Sequence, residues 1–200
     1  MHEYSIDLEN NKVIFFLSIV SIFFSSGLTT IINLMVAKIP HIEITISITA
    51  ISIFGILYSL FDKFIWKWKI LNKLGIIKIP NLNGSWEGQF QSSYHEFKEN
   101  LPVSLIIEQS WSKICIKGKF NHSKSSSNTA SIKVNLGKEI KLLYSYYNDK
   151  KPEYYNMGTS NHRGYANLEI SENLMEGNYF NDPANNDNWG KMKLEKVEKL

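Results

Sequence analysis

Residues able to hold a flat, anionic ligand are concentrated between Tyr144 and Tyr179. Tyr144, Tyr146, Tyr147, Tyr154, Tyr155, Tyr165 and Tyr179 fall there, interleaved with Thr159, Asn161, Arg163 and Asn167. Aromatic faces stack on nucleobases, at roughly 1–3 kcal/mol per base. Hydroxyls, amides and a guanidinium fork suit phosphate oxygens. Arg163 is the only arginine in a chain that otherwise uses lysine at its cationic positions, which marks it for planar, bidentate phosphate recognition. The candidate ligand-binding set is therefore Tyr146, Thr159, Asn161, Arg163, Tyr165, Asn167 and Tyr179. About half of the tyrosines would serve equally well as ordinary strand residues.

Catalytic patterns are missing from the sequence. It contains no glycine-rich phosphate loop, no paired-cysteine metal motif, no His-Glu-x-x-His and no Gly-x-Ser-x-Gly. The five histidines, His2, His41, His95, His122 and His162, are scattered without metal-ligand spacing. Thr159 and Ser160 have no evident base beside them to activate a hydroxyl. The expectation is a binding protein rather than an enzyme, with no catalytic residue, no metal and no cofactor. A net charge of +3 is too mild to imply a nucleic-acid polymer as partner. Cys115 is the sole cysteine, so an intrachain disulfide is impossible and a reducing compartment fits.

From Asn81 onward the apolar residues recur with period two, the signature of half-buried strands. Trp86, Gly88 and Phe90 share a face; Val103, Leu105 and Ile107 repeat the pattern, then Ile114, Ile116 and Phe120. Ile132, Val134 and Leu136 follow, then Ile140, Leu142, Tyr144 and Tyr146. Ala166, Leu168 and Ile170, then Met175, Gly177 and Tyr179, and finally Met192 and Leu194, complete the series. Asn121–Asn128 and Asn181–Asn188 read as turns. Eight short strands in about 120 residues match an eight-stranded antiparallel β-barrel, whose interior can hold one small ligand. A sandwich would carry the same alternation.

Ahead of this all-β domain the chain is almost free of charge. Val13–Ala37 lies between Lys12 and Lys38 and as a helix would be roughly 37 Å long, enough to cross a bilayer. Ile44–Phe61, between Glu43 and Asp62, would make a second helix of roughly 27 Å. Its start, Ile44, Ile46 and Ile48 alternating with Thr45, Ser47 and Thr49, also reads as a strand. An unpaired strand in lipid leaves its amides unsatisfied, so a helix is expected, with Lys38–Glu43 as a hairpin loop. A cleaved signal peptide is disfavoured by Glu3, Asp7 and Glu9 ahead of an over-long apolar run. Lys63, Lys67, Lys69, Lys73 and Lys78 follow the second helix, whereas the loop has only Lys38 against Glu43; both termini are thus expected in the cytoplasm. Trp66 and Trp68 would lie in an interfacial belt. Ser18, Ser21, Ser25, Thr29 and Asn33 form a polar stripe on the first helix, and Gly55 and Ser59 a small pair on the second, either for packing within the hairpin or for contact between protomers. The expected organisation is a cytoplasmic segment 1–12, a two-helix transmembrane hairpin 13–61, a linker 62–80 and a ligand-sensing β domain 81–200.

A two-helix hairpin followed by Leu82-x-Gly84-x-Trp86-x-Gly88 resembles the two-transmembrane β-barrel effectors of bacterial CBASS anti-phage defence. The segment His162-Arg163-Gly164-Tyr165-Ala166-Asn167-Leu168-Glu169-Ile170 is similar to theirs, as are Leu174-x-x-Gly177-x-Tyr179-Phe180 and Gly190 opening the last strand. The resemblance implies a receptor in the bacterial inner membrane, silent until infection. A partner nucleotidyltransferase would make a cyclic dinucleotide that binds in or at the mouth of the barrel. Binding would drive homo-oligomerisation, gather the helices, disrupt the lipid bilayer and kill the infected cell. Relatives tend to carry a basic residue soon after the Gly-x-Tyr strand, where this chain has Asn181–Asp187, so its phosphate contacts would differ. A membrane-tethered lipocalin-like binder of an apolar metabolite, or a protein-recruiting scaffold, remains open from the residues alone.

Overall fold

The alternating segments become strands, and the charge-free runs become a helical unit. The computed structural model describes residues 1–8, 11–41, 44–136, 139–156, 161–182 and 188–197. Two short strands come first, β1 (His2–Glu3) and β2 (Ser5–Ile6). The helices are α1 (Asn11–Val36), α2 (Ala50–Lys63) and α3 (Lys69–Lys73). Then follow β3 (Gly84–Ser92), β4 (Leu101–Gln109), β5 (Lys113–Lys119), β6 (Ser123–Leu136), β7 (Glu139–Lys150), β8 (His162–Ser171), β9 (Leu174–Asn181) and β10 (Trp189–Val197). Two units separate by their contacts: Met1–Leu8 with Lys78–Leu200, and Glu9–Ile77.

In the first unit β3 to β10 pair antiparallel in the cyclic order 5-4-3-10-9-8-7-6, and β5 meets β6 to close the barrel. Closure removes the unpaired edges that an open sheet would expose. The expected sandwich-or-barrel alternative is thereby resolved. Inward side chains at one end are tightly packed: Trp86, Leu105, Ile114, Ile132, Leu142, Leu168, Met175 and Leu194 are all fully buried. Trp86 is fixed by its indole N–H, which donates to the Leu82 carbonyl at 3.0 Å. The Lys196 ammonium stands 5.3 Å over its ring.

Closure is incomplete along its length. Only Lys117–Lys119 pair with Lys124–Ser126, and beyond them β5 and β6 part. The N-terminal segment fills that gap. β1 adds antiparallel to β5, with His2 opposite Ile114, and β2 adds parallel to β6, with Ile6 opposite Ile132. Side chains complete the seam. Ser127 Oγ accepts the Ile116 amide at 2.9 Å and meets His2 Nε2 at 2.8 Å. Asp7 Oδ1 accepts the Val134 amide at 2.7 Å. Buried Gln109 donates from Nε2 to the Tyr4 hydroxyl at 3.2 Å and accepts the Leu82 amide at 2.8 Å, tying the segment to the chain that leads into β3.

One expected turn is a strand. The serines of 123–128 show no apolar alternation and the sequence predicts a turn over Asn121–Asn128, yet β6 starts at Ser123. A bulge at Asn128 then shifts the register, from Ser127 opposite Tyr146 to Thr129 opposite Ser145, and so swaps which parity faces inward.

In the helical unit α1 has 26 residues, roughly 39 Å at 1.5 Å per residue, and is long and apolar enough to cross a membrane. Phe15, Phe16, Phe23 and Phe24 stand exposed on it, as lipid-facing residues would. The second helix starts later than expected. Ile44–Thr49 is extended, Thr49 caps α2 by accepting the Ser52 amide at 3.4 Å, and α2 keeps 14 residues, roughly 21 Å. β-Branched residues favour the extended form, and α1 pairs part of its backbone. Asn33 accepts the Ile46 amide and donates to its carbonyl, both at 2.8 Å, and Thr29 Oγ1 accepts the Ile48 amide at 3.1 Å. Those pairings run antiparallel and put the lower part of the polar stripe inside the hairpin. Ser21 and Ser25 are buried with it. A Cβ on Gly55 would meet nothing within 4 Å, so Gly55 is not a close-packing point in this unit. Trp68 is exposed and Trp66 fully buried.

Two substitutions test these joints. Asp7→Ala strands the Val134 amide and is expected to lower stability by about 1–3 kcal/mol, measured by denaturant unfolding of the full chain in detergent. Asn33→Leu leaves both Ile46 backbone groups unpaired and should destabilise the hairpin by about 1–2 kcal/mol, read as earlier loss of helical circular dichroism on titration with SDS.

Candidate functional site

At the end of the barrel away from the packed core, the inward residues change from aliphatic to aromatic and polar. The late parts of β3, β5, β7 and β9 and the early parts of β4, β6, β8 and β10 surround a cavity of about 410 Å³, within the usual range for small-molecule sites. Phe90, Tyr144, Tyr179 and Met192 line its deeper part. Ser123, Ser125, Asn148 and Asn181 form polar walls, and Tyr94, His95, His122, Lys150 and His162 lie toward the strand ends.

Two glycines shape the aromatic part. Tyr146 lies opposite Gly164, and Tyr179 opposite Gly190. A Cβ on Gly164 would come within 2.3 Å of the Tyr146 ring, and one on Gly190 within 2.6 Å of the Tyr179 ring. The absent side chains therefore let each tyrosine lie down across its neighbouring strand. Tyr146 donates its hydroxyl to Asn181 Oδ1 at 3.0 Å, and Phe90 packs edge-on at 5.4 Å to Phe120 and at 6.2 Å to Tyr179. The rim is tied down as well. His122 stacks on Tyr154 at 4.2 Å, the Lys151 amide donates to the His122 carbonyl at 2.9 Å, and Ser92 Oγ accepts the Tyr94 amide at 3.2 Å. Chemically, this is a cleft for flat rings with hydroxyl, amide and imidazole groups around them. Among the described residues no cluster of His, Cys, Asp or Glu could hold a metal ion.

Burial pushes the phenols of Tyr144, Tyr146 and Tyr179 upward. Tyr144 and Tyr179 further raise Tyr146, while a hydrogen bond with Ser92 partly offsets the rise at Tyr179. All three remain neutral hydrogen-bond donors at physiological pH.

The expected site residues divide. Tyr146 and Tyr179 line the cavity. Arg163 and Asn167 are exposed on the outer face of β8, with Tyr165 beside them, its ring 5.3 Å from that of Phe180. On a strand, neighbours two apart share a face; since Ala166, Leu168 and Ile170 point inward, the odd positions cannot. Asn161 stitches β7 to β8, its Oδ1 accepting the Lys150 amide at 2.8 Å. Thr159 lies outside the described residues, as do residues 183–187 of the run that departs from the family pattern. Lining residues outside the expected set include Asn148 and Lys150, which continue the inward parity of Tyr144 and Tyr146, and Ser123 and Ser125 of β6, which have no apolar signal to give.

The sequence pattern of the Cap15 cyclic dinucleotide receptor domain matches residues 77–196, and that of the Cap15 TM helices matches residues 11–67. The chain belongs to the Cap15 family. CD-NTase-associated protein 15 of Yersinia aleksiciae is 32% identical over 188 aligned residues, which cover 92% of this chain and 86% of that protein. The Cap15 receptor pattern thus coincides with the closed barrel and its cavity, and the membrane pattern with α1, the extended segment and α2. The chain is a membrane protein whose β-barrel is a cyclic dinucleotide receptor domain.

The tyrosines make the Cap15 barrel sensitive to alkali. A raised phenol keeps its proton in the folded chain while the unfolded one ionises near 10. The stability this supplies is complete below about pH 10 and is lost as pH rises toward the folded values. The thermal midpoint should fall steeply above about pH 10, and Tyr144→Phe should flatten the fall, as read by melting curves beside tyrosine absorbance titration.

Proposed function

We propose that a cyclic dinucleotide seats in the barrel cavity, with its bases against the tyrosines and phenylalanines of the deeper part. Occupancy then drives homo-oligomerisation, the helical units gather in the bacterial inner membrane, and disruption of that membrane kills the infected cell. The observation that carries this reading is the aromatic, polar-walled cavity at one end of a barrel of receptor type. A nucleotidyltransferase is the functional partner that would supply the ligand, in line with the name of the Yersinia aleksiciae relative. The lysines after α2, Lys67, Lys69, Lys73 and Lys78 among them, support a cytoplasmic barrel under the positive-inside bias. Serine, asparagine and histidine walls disfavour an apolar metabolite. The protein's role is that of a receptor and effector, without a reaction of its own.

The test is a melting-temperature panel of cyclic dinucleotides on the full chain in detergent. A specific ligand at a hundredfold excess over its Kd adds about 2.7 kcal/mol of apparent stability, and light scattering should register a larger assembly. Tyr146→Leu and Tyr179→Leu should each weaken binding by about 5- to 150-fold, the worth of one stacked base, whereas Arg163→Ala should leave affinity nearly unchanged. A chain that answers to no cyclic dinucleotide would overturn the reading.

A further inference from the structure

Two successive inward positions near the end of β7 carry polar atoms that the described residues leave unmatched. Among the described residues, Lys150 Nζ and Asn148 Oδ1 are both buried without a hydrogen-bond partner, and both residues line the cavity. Other polar groups nearby are used. Lys151 gives its ammonium to the Asn121 carbonyl at 2.6 Å, and Asn148 Nδ2 meets His162 Nε2 at 3.2 Å. The carboxylate among the lining residues, Glu99, sits 3.4 Å from His95 Nδ1.

An unpaired buried ammonium is among the least favourable groups a fold can hold, because desolvation is not repaid by an opposite charge. This barrel satisfies distant seam amides with dedicated side chains such as Asp7 and Ser127, so an uncompensated cation at its ligand cavity calls for an anion from outside the chain. We infer that Lys150 is the phosphate anchor of the ligand, its ammonium meeting a non-bridging phosphate oxygen while the rings occupy the aromatic part below. Asn148, about 6.8 Å away along the strand, presents its free amide oxygen to an N–H of the adjoining base. Lys150 thereby fills the role that residue type alone assigns to Arg163, which sits on the outer face of the adjacent strand. The inference rests on the cyclic dinucleotide reading and names the charge contact within it.

The experiment uses the full chain in detergent, with the cyclic dinucleotide that raises the wild-type melting temperature most. Each of its two phosphates is also neutralised in turn as a methyl triester. Lys150→Met should melt above wild type without ligand, because a buried unpaired charge has been removed. Its affinity for the charged compound should drop by about 10- to 150-fold, the range of a hydrogen bond to a charged group. Lys150→Arg should keep most of the affinity. Against one of the two triesters, Lys150→Met and wild type should bind within about threefold of each other, the mark of a shared contact in a thermodynamic cycle. The assignment is overturned if Lys150→Met binds the charged compound as wild type does. It is also overturned if that variant melts lower without ligand, or if its loss is equal for the charged compound and both triesters. Failure of the underlying reading is distinct: wild type itself then binds none of the compounds.

Discussion

Eight strands can bury their edges only by closing, and in this chain closure is weakest between β5 and β6. Three residue pairs join those strands before they part, and without further help several amides and carbonyls of both would face no partner. Everything else in the β unit depends on that gap being filled. The N-terminal segment supplies backbone pairs on both sides of it, and Ser127 and Asp7 supply side-chain partners where backbone cannot reach. The strand register follows from the closed circuit, and with it the choice of which side chains meet inside.

Inside, the barrel divides its labour along its axis. One end is filled with Trp86 and aliphatic residues at complete burial, which holds the strands in register. The other end gives up that filling: glycines at 164 and 190 make room for tyrosines to recline, serines replace β-branched residues, and a lysine and an asparagine keep unmatched atoms. Departures of this kind from close, fully paired packing are common where a site is kept for a ligand. The packed end is what allows the open end to be built poorly.

Much of this was legible in the residues. Apolar alternation located all eight barrel strands, since each had at least two large residues on its buried face. It failed where burial is not apolar. Ser123 and Ser125 point into a polar cavity and Ser127 into the seam, so their strand lacks the apolar alternation that marks the others. Ile44–Thr49 carries a strand pattern that lipid would forbid if its amides stayed unpaired; the sequence also holds the remedy in Thr29 and Asn33, but the partnership spans a hairpin that periodicity does not see. Arg163 drew attention by rarity, while parity with Ala166 and Leu168 already turned it outward. Lys150, one lysine among many, was marked only by its phase with Tyr144 and Tyr146. Rarity is a statement about composition, and phase is one about direction; at this site direction decides.

The route of the chain has one further implication. Because residues 1–8 are woven into the same sheet as residues 84–197, the hydrophobic hairpin is in connectivity an insertion within the barrel rather than a leader placed ahead of it. A protease that cuts between the hairpin and β3 would not shed the receptor, since the N-terminal strands would still grip it without a covalent link. A fragment trimmed to begin near Lys78 would carry two half-bare strands side by side. That is the kind of opening into which the corresponding strand of another molecule can slide, so dimers of such a fragment would report a missing piece of the fold rather than a signalling state.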